Sequence, residues 1–447
     1  MLPSLYPNRR KVLSEMKKNL CFLLTGFWVL CAFLCCNNQA FAGGFQIYGA
    51  AAPDAIALGA ANVARDDLVS SAWYNPAAVM DFKKPHYNSG FSLVKLNWNY
   101  EPGNGQNRIK IKDKTQAVPG TNIVYPINSR YTAAFSLYTP FGLGMKWNDE
   151  DVRRLADSGI FNDPAGSPAG TLLTRAIPAQ ADLQVPYLNS TIATRLSDKL
   201  SVAAGISLIK ADMKLRFHSK GTLLPNTLMW DKFTKYQADG WGMGYVLAAH
   251  YNAGNHWKFG VRYLSEADVK MKGTVEDHPE TGLIGVKGTL KLPYTLTFGF
   301  ANSSVDRWIF SFDVTKTGWN RFDELKIVPR DAGQTKGGFA APKNWEDSLT
   351  WRFGAEFKHD ERWTFRGGYA YDNSPVGDET RNFELPGTDG HIFSLGASRK
   401  TRTFVYDVGY SYMLLEKGRA GSTSLGGAGE FTGADNHFLM FSATRGF

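Results

Sequence analysis

The stretch Trp363-Thr364-Phe365-Arg366-Gly367-Gly368-Tyr369-Ala370-Tyr371-Asp372 alternates two kinds of side chain along its length. Its odd-numbered positions are aromatic except for Gly367, and its even-numbered positions are small, polar or charged. Because side chains of a β-strand point to opposite faces in turn, this strand has one aromatic and one polar face. Similar alternation recurs at 308–315, 349–358 and 403–414, and the chain ends on Phe447. The pattern predicts a transmembrane β-barrel with lipid on its aromatic side and a polar lumen.

The composition favours a membrane sheet over a bundle of membrane helices. Of the 447 residues, 43% are hydrophobic and 20% charged, and the mean hydropathy is −0.27. The 29 phenylalanines, 19 tyrosines, 12 tryptophans and 45 glycines fit strands, membrane interfaces and tight turns. Of the net charge of +9, +4 lies in residues 1–42; the rest is a mild excess spread along the chain, so solvated loops explain it better than a nucleic-acid surface.

Residues 1–42 are predicted to be a signal peptide. Lys17 and Lys18 precede an apolar run, and Ala40-Phe41-Ala42 forms a cleavage site. The sequence does not decide whether translation starts at Met1 or Met16. All four cysteines lie in this leader, so the mature chain has no disulfide and no thiolate metal site. No later segment is apolar for long enough to form a transmembrane helix.

The mature chain divides into two regions. Residues 43–84 are rich in alanine and glycine, lack the alternation, and contain helix-compatible pieces. Residues 85–447 contain fourteen predicted strands joined alternately by short and long links, as in an outer-membrane barrel. The strands are predicted at 86–99, 119–128, 131–140, 184–196, 200–217, 240–253, 256–275, 285–301, 307–318, 346–359, 361–373, 390–400, 402–416 and 435–447. We therefore predict an all-β, antiparallel barrel of about 14 strands in a Gram-negative outer membrane.

No enzymatic motif is present in the mature sequence. It has no H-E-x-x-H, G-x-S-x-G, phosphate-binding loop or cysteine nucleophile, and its histidines are scattered. We predict that the protein is not an enzyme and needs neither a cofactor nor a metal.

Charged residues on the inner faces of the strands have two interpretations. They can pair with one another to brace a plug or the wall, or a cation among them can bind a ligand carboxylate. These residues are Asp313, Arg352, Glu356, Lys358, Arg366, Asp372 and Asp407.

The long link predicted at 218–239 is unusually apolar for a loop. Its large residues are spaced as on one helical face, and a second link adds an apolar pair. Such patches often mark binding sites, although the loops can also pack against each other. The residues are Leu223, Leu224, Leu228, Met229, Trp230, Phe233 and Tyr236, with Leu283 and Ile284 in the second link.

The run Tyr138-Thr139-Pro140-Phe141-Gly142-Leu143-Gly144 conflicts with a regular strand. Proline removes a ladder hydrogen bond, and a closed barrel has no free edge at which to place it. The run is either a turn that ends the third strand or a gap in the barrel wall.

Several of these segments resemble the FadL-type outer-membrane transporters of long-chain fatty acids and related hydrophobic compounds. The resemblance covers nearly the whole mature chain. It rests on Gly44-Phe45-Gln46, Tyr74-Asn75-Pro76-Ala77-Ala78, Pro140-Phe141-Gly142-Leu143-Gly144, Gly354-Ala355-Glu356 and Gly368-Tyr369-Ala370-Tyr371-Asp372-Asn373-Ser374-Pro375.

The resemblance implies a monomeric barrel plugged by an N-terminal hatch, residues 43–84, with Asn75, Pro76 and Ala77 as the hatch motif. Ligand is expected to bind first among the apolar residues of 223–236 and 283–284, then in an internal pocket touched by Phe45. A kink at Pro140 and Gly142 is expected to release it sideways into the membrane. The family's carboxylate-binding cations match no particular arginine or lysine here.

The leading hypothesis is therefore passive uptake of long-chain fatty acids by a protein surrounded by outer-membrane lipid and lipopolysaccharide. Uptake of monoaromatic hydrocarbons is the alternative within the same fold. A general porin or an adhesin is the alternative from another class.

Overall fold

The computed structural model describes residues 45–46, 52–103, 105–112, 115–157, 172–223, 227–276, 282–331, 333, 337–421 and 428–447. The predicted signal peptide lies outside these residues. None of the helices in the described ranges is long and apolar enough to cross a membrane. The same ranges contain no cluster of three or more His, Cys, Asp or Glu side chains that could hold a metal ion.

The described chain consists mainly of antiparallel strands. They are β1 (His86–Pro102), β2 (Ile109–Lys110), β3 (Thr115–Pro126), β4 (Tyr131–Lys146), β5 (Leu172–Arg195), β6 (Leu200–Leu223), β7 (Thr227–Gly254), β8 (Trp257–Leu264), β9 (Ala267–Glu276), β10 (Leu283–Leu292), β11 (Thr295–Asn302), β12 (Trp308–Thr317), β13 (Glu324–Pro329), β14 (Phe339–Pro342), β15 (Ser348–Lys358), β16 (Trp363–Asp372), β17 (Gly390–Lys400), β18 (Val405–Leu415), β19 (Gly418–Ala420) and β20 (Gly429–Gly446). The helices are α1 (Pro53–Ile56), α2 (Ser71–Tyr74) and α3 (Asp149–Asp157), with 3₁₀ helices at Pro76–Asp81 and Trp319–Arg321.

The strands close into a barrel with fourteen wall positions, as predicted. Successive strands pair, and β1 pairs with β20 from His86–Gly446 to Pro102–Gly429, which joins the two ends of the sheet. In the described chain, six wall positions contain two strands in succession: β2 with β3, β8 with β9, β10 with β11, β12 with β13, β14 with β15, and β18 with β19. Closure is needed because an unpaired backbone N–H or C=O in hydrocarbon costs several kcal/mol.

Two predicted strands are interrupted in the structure. The segment predicted at 256–275 breaks at Ser265-Glu266, where the Ser265 hydroxyl accepts the Tyr245 N–H and donates to the Glu266 carbonyl. The segment predicted at 285–301 breaks at Pro293-Tyr294. Proline explains the second break because it has no N–H to donate to the ladder.

The prediction of a loop over 218–239 is wrong. β6 and β7 pair from Leu200–Tyr251 to Leu223–Thr227, so this segment is a long antiparallel hairpin. Thr234 and Tyr236 face inward and alternate with Phe233 and Lys235 on the other face. This is the two-residue period of a strand, and the helical spacing of the apolar residues was coincidental.

The outer face of β7 shows where the membrane lies. Lys235, Gln237 and Asp239 come first, and the exposed residues then become apolar from Trp241 to Tyr251. An apolar band of about ten residues matches a tilted strand that crosses a bilayer core. The tight β7–β8 turn follows this band, on the rim that also carries the short β3–β4, β5–β6, β11–β12, β15–β16 and β17–β18 links. That rim is the periplasmic one, since outer-membrane barrels place their short turns there.

Strand β16 has the two faces that its sequence predicts. Trp363 and Phe365 are exposed on the outer face, whereas Arg366 and Asp372 are buried on the inner face. Arg366 donates from Nε to Glu356 Oε2 at 2.7 Å, and Asp372 accepts from the Thr350 hydroxyl at 2.8 Å.

The described part of the hatch, residues 52–84, packs against the inner faces of the strands. Arg65 donates to Glu356 Oε1 at 3.0 Å, and Asp313 Oδ2 accepts the backbone N–H groups of Asn62 and Val63 at 2.8 and 2.9 Å. Inward charges at Asp313, Glu356 and Arg366 therefore brace the hatch and the wall, which was one of the two interpretations. Removing one partner of such a buried pair usually costs several kcal/mol.

Glycines in the wall let the hatch backbone approach closely. A Cβ atom at Gly368 would lie 2.0 Å from the Gly59 nitrogen, and one at Gly260 would lie 2.0 Å from the Val63 oxygen. Both distances are far below van der Waals contact, so only glycine fits at these inner positions. That the hatch closes the channel, and that it spans 43–84, stay predictions.

We expect Gly368→Val to displace the hatch and raise ion conductance in planar bilayers, because the side chain would overlap the backbone at Leu58 and Gly59. Gly367→Val is the matched control, since a Cβ atom there would meet Leu395 Cδ2 at an ordinary 3.7 Å. Heat-modifiable migration on gels would show that both variants fold. Low conductance in both folded variants would contradict the prediction.

Candidate functional site

Strand β4 contains a bulge at the predicted Pro140 irregularity. Tyr138 pairs with Tyr187 and Phe141 pairs with Val185, so Thr139 and Pro140 together face the single residue Pro186. Two prolines without N–H groups oppose each other there, and a bulge absorbs the lost ladder bonds. β4 continues to Lys146, so the run is not a turn that ends the strand.

The β3–β4 ladder stops beside this bulge. It runs from Thr121–Leu137 to Pro126–Thr132, although β3 begins at Thr115 and β4 extends to Lys146. Among the described residues, the Gln116 side chain crosses this interval with a long 3.4 Å hydrogen bond to the Gly144 carbonyl. The barrel wall is therefore interrupted between β3 and β4, below the point where Ile111 forms a β-bridge with Trp147 and the Lys112 N–H donates to the Lys146 carbonyl at 2.7 Å.

The N-terminal residues lie at this interruption. The Gly142 N–H donates to the Phe45 carbonyl at 2.7 Å, and Gln46 forms an isolated β-bridge with Phe141. The hatch thus supplies backbone partners to β4 next to the place where β3 ceases to do so. Movement of residues 45 and 46 would leave these groups of β4 without those partners.

The Phe45 ring is enclosed by an aromatic cage. Its ring centroid lies 4.7 Å from Trp319, 5.4 Å from Phe322, and 5.8 Å from both Phe141 and Trp345. Phe45 is only 1% exposed. A hydrophobic molecule that occupies this cage has to displace the Phe45 ring.

A small cavity of about 70 Å³ lies between the bulge and the hatch. Its wall combines aromatic, hydroxyl and charged groups. The Trp73 and Tyr138 rings stack at 4.4 Å, and the Tyr74 and Tyr138 hydroxyls are hydrogen-bonded at 2.8 Å. The lining residues are Gln46, Ala60, Val63, Trp73, Tyr74, Tyr138, Pro140, Phe141, Arg262, Leu264, Thr295, Thr297, Asp313, Thr315 and Arg352.

Arg262 on β8 places a guanidinium group in this cavity wall. The group lies 4.6 Å from the centre of the Trp73 ring, and the residue is 6% exposed. Within the described residues, its Nε and Nη2 atoms are buried without a hydrogen-bond partner. Asp313 and Arg352 also line the cavity; Asp313 Oδ2 accepts hatch N–H groups, and its Oδ1 atom is buried without a hydrogen-bond partner in the described residues, so two guanidinium groups face one carboxylate. Because a buried cation is costly unless paired, the site favours an incoming anion.

The hatch motif fastens the hatch to β7. The Asn75 side-chain amide donates to the Val63 and Ala249 carbonyls at 2.6 and 3.0 Å. Its Oδ1 atom accepts the Ala77 N–H at 3.0 Å, which caps the 3₁₀ helix that begins at Pro76. Ala77 is fully buried among small residues of the wall.

The structure does not bring the predicted loop-groove residues onto one surface. Leu224 lies outside the described residues, while Leu223, Leu228, Met229 and Trp230 belong to the tips of β6 and β7. Leu283 and Ile284 are neighbours in β10, so their side chains point to opposite faces. Leu283 is 70% exposed on the outside, whereas Ile284 is buried and faces inward.

Phe233 is covered by cations of neighbouring elements. The guanidinium groups of Arg216 and Arg153 lie 4.4 and 4.9 Å from its ring centre. Arg216 also donates to Asp149 at the start of α3, and this hydrogen bond lowers the pKa of Asp149. Phe233 therefore helps to attach α3 to the β6–β7 hairpin.

Sequence reasoning missed several residues of the site. Trp319, Phe322 and Trp345 fell in a link predicted at 319–345, and their aromatic character in a supposed loop was the signal. Arg262 was missing from the inward charges, although its even-numbered position opposite the outward Val261 and Tyr263 would have placed it inside.

The protein is an outer-membrane β-barrel, and comparison with known proteins shows that it belongs to a class of transporters of hydrophobic compounds. The model of the family described as outer membrane protein transport protein (OMPP1/FadL/TodX) matches residues 33–158 and 169–437. The chain belongs to this family.

Individual relatives agree with this assignment. The chain is 26% identical over 430 residues to a long-chain fatty acid transport protein of Escherichia coli O6:H1, covering 85% of this chain and 89% of that one. It is 26% identical over 365 residues to a 47 kDa outer membrane protein of Pasteurella multocida, covering 77% of this chain and 80% of the relative.

Two solved structures share the fold. A Pseudomonas aeruginosa FadL homologue superimposes with a TM-score of 0.72 at 17% identity, covering 90% of this chain and 99% of that one. The P. putida toluene transporter TodX gives 0.64 at 14% identity with the same coverage.

Asn75→Ala is expected to loosen the hatch because it leaves two buried carbonyls and the Ala77 N–H without their partner. We expect a loss of roughly 3–9 kcal/mol in local opening free energy, from roughly 1–3 kcal/mol for each of the three groups left unsatisfied. Hydrogen exchange of the hatch amides, followed by mass spectrometry, measures this loss. Asn302→Ala, at an exposed turn where Asn302 accepts the Ser304 N–H, is the control. Equal hatch protection in the two variants would show that Asn75 does not fasten the hatch.

Proposed function

We propose that this outer-membrane transporter takes up long-chain fatty acids passively. The observation that carries the proposal is Arg262, a buried guanidinium with unpartnered donors in the described structure, in a cavity next to the aromatic cage of Phe45. A carboxylate is the ionised group of a fatty acid, and charge-assisted hydrogen bonds to guanidinium are among the strong ones. A ligand without charge would gain nothing from this cation that offsets its burial.

The path begins at the extracellular end, among the predicted apolar residues at the tips of β6 and β7, Leu223, Leu228, Met229 and Trp230, and beside the inward-facing Ile284 of β10. The alkyl chain then displaces the Phe45 ring from its cage while the carboxylate approaches Arg262. Burial of the chain among aromatic rings provides the driving force, since apolar area removed from water contributes about 25 cal/mol per Å². A relay of apolar sites keeps the chain out of water along the whole route.

Release occurs sideways through the interval between β3 and β4. Pro140 and Gly142 keep β4 away from a regular ladder, and Phe45 and Gln46 lie across the opening. Binding of the ligand in the cage moves Phe45 and so withdraws the residues that cover the opening. Asn75, Pro76 and Ala77 hold the rest of the hatch in place during this step. The protein works as a monomer, without cofactor, metal or enzymatic activity.

Uptake of monoaromatic hydrocarbons is the second candidate. The cavity is small, four aromatic side chains line it, and a toluene transporter shares the fold. This candidate predicts no role for the charge of Arg262, so one substitution separates the two.

Arg262→Met is expected to reduce oleate uptake roughly 10- to 100-fold, since a hydrogen bond to a charged group contributes about 1.5–3 kcal/mol. Toluene uptake by the same variant is expected to stay unchanged. Arg262→Lys is the matched variant and should recover part of the oleate uptake because it keeps the charge. Uptake is measured with labelled ligand in cells with equal surface expression. Normal oleate uptake by Arg262→Met would refute the carboxylate role.

Straightening the bulge tests lateral release. The double variant Pro140→Thr with Gly142→Val is expected to abolish oleate uptake, because a regular β4 can pair with β3 and close the interval. Surface expression and oleate binding should stay intact, since Arg262 and the Trp319, Phe322 and Trp345 side of the cage are unchanged. Uptake at the normal rate in a folded double variant would exclude this exit.

A further inference from the structure

We propose that the outer surface of β9 and β10 binds the phosphate groups of lipopolysaccharide in the surrounding leaflet. Three lysines form the core of this site, Lys270 and Lys272 on β9 and Lys287 on β10. All three are exposed on the outer face of the sheet. With Lys291 and Lys326 they line one shallow depression of the surface.

The strand register brings these lysines together. Lys272 and Lys287 are direct partners across the β9–β10 ladder, and Lys270 follows two residues from Lys272 on the same face. Like charges directly opposite each other on one face destabilise a strand pair. A bound anion between the two ammonium groups converts this repulsion into attraction.

Acidic side chains in the described ranges form no ion pair with these three lysines, and Glu324, which lines the same depression, lies 3.8 Å from Lys326. Neighbouring lysines have partners: Lys235 pairs with Glu276 at 3.0 Å and Lys291 with Asp323 at 2.8 Å. In the described part of the chain, Lys270, Lys272 and Lys287 have no carboxylate within ion-pair distance. Asp239 faces Lys272 across the β7–β9 ladder without forming an ion pair, and Asp268 is held by Arg321 at 2.7 Å.

The three lysines stand at the level of the lipid headgroups. On β7, Trp241 is the ladder partner of Lys270 and Asp239 is that of Lys272. Trp241 is the first residue of the exposed apolar band, and tryptophan typically marks the membrane–water interface. The patch lies at the end of the band away from the tight periplasmic turns, so it meets the outer leaflet. The headgroup phosphates of lipopolysaccharide lie in that leaflet.

The side chains of this site suit a phosphate group better than a carboxylate. Lysine ammonium groups are compact point charges that bind phosphate without the planar fork of arginine. Each lysine near an anionic lipid surface contributes about a fivefold gain in affinity. Three together correspond to roughly a 100-fold gain.

The test compares the full-length protein with the triple variant Lys270→Gln, Lys272→Gln and Lys287→Gln. Binding of lipopolysaccharide to the detergent-solubilised barrels is measured by native mass spectrometry, with intact and with enzymatically dephosphorylated lipopolysaccharide. We expect the triple variant to bind intact lipopolysaccharide roughly 100-fold more weakly. Wild-type protein should lose a similar factor when the phosphates are removed.

The control variant Lys83→Gln, Lys84→Gln and Lys199→Gln removes the same charge at exposed positions of the periplasmic rim. It should bind intact lipopolysaccharide like wild type. Equal affinity of the wild-type and patch variants, or equal loss in the control variant, would overturn the proposal. Displacement of lipopolysaccharide by millimolar inorganic phosphate or by equimolar phosphatidylglycerol would also overturn it, because the site would then select free phosphate or any anionic lipid. Oleate uptake should be unchanged in the patch variant, so this site and the transport proposal can fail independently.

Discussion

The need to pair every backbone N–H and C=O in hydrocarbon governs the whole structure. It requires a closed ring, and the β1–β20 ladder provides the closure. It also limits where the wall can be interrupted, because an opening exposes unpaired groups unless another part of the chain supplies partners. At the β3–β4 interval the Phe45 carbonyl and the Gln46 bridge supply them. The hatch and the interruption are therefore structurally linked, because Phe45 and Gln46 provide backbone partners to β4 and the Phe45 ring also fills the aromatic cage.

Packing and ion pairs hold one part of the hatch firmly, and fewer contacts hold the other part. Residues 58–65 of the hatch are fixed to the wall by their close approach to Gly260 and Gly368 and by the ion pair of Arg65 with Glu356. Residues 45 and 46 are held instead by the packing of the Phe45 ring in the aromatic cage and by backbone contacts with β4. In the proposed mechanism, a hydrophobic ligand competes directly with the first of these contacts. The firmly braced part of the hatch and the displaceable part are thus adjacent segments of one chain.

Much of this arrangement could be predicted from the sequence, for identifiable reasons. The alternation of Trp363–Asp372 is local and periodic, so it revealed both faces of β16, and the short turns revealed the periplasmic rim. The hairpin over 218–239 was mistaken for a loop because apolar residues there matched a helical period by coincidence, while its ladder pairing is non-local. Pro140 indicated an irregularity in the sequence. The pairing of β4 with β5 was needed to show that it is a bulge within β4, opposite Pro186. The aromatic cage depends on contacts between Phe45 and residues more than 270 positions away, which no local pattern encodes. Arg262 could have been placed by strand parity, although its lack of partners could not.

In the proposed mechanism, the buried guanidinium of Arg262 receives the carboxylate of a fatty acid whose chain occupies the cage of Phe45. The most direct measurement is an experimental structure of the protein with bound oleate. We predict density for the carboxylate within hydrogen-bond distance of Arg262, with the Phe45 ring moved out from between Trp319 and Trp345. A carboxylate bound elsewhere in the lumen, with Phe45 still in its cage, would contradict the account.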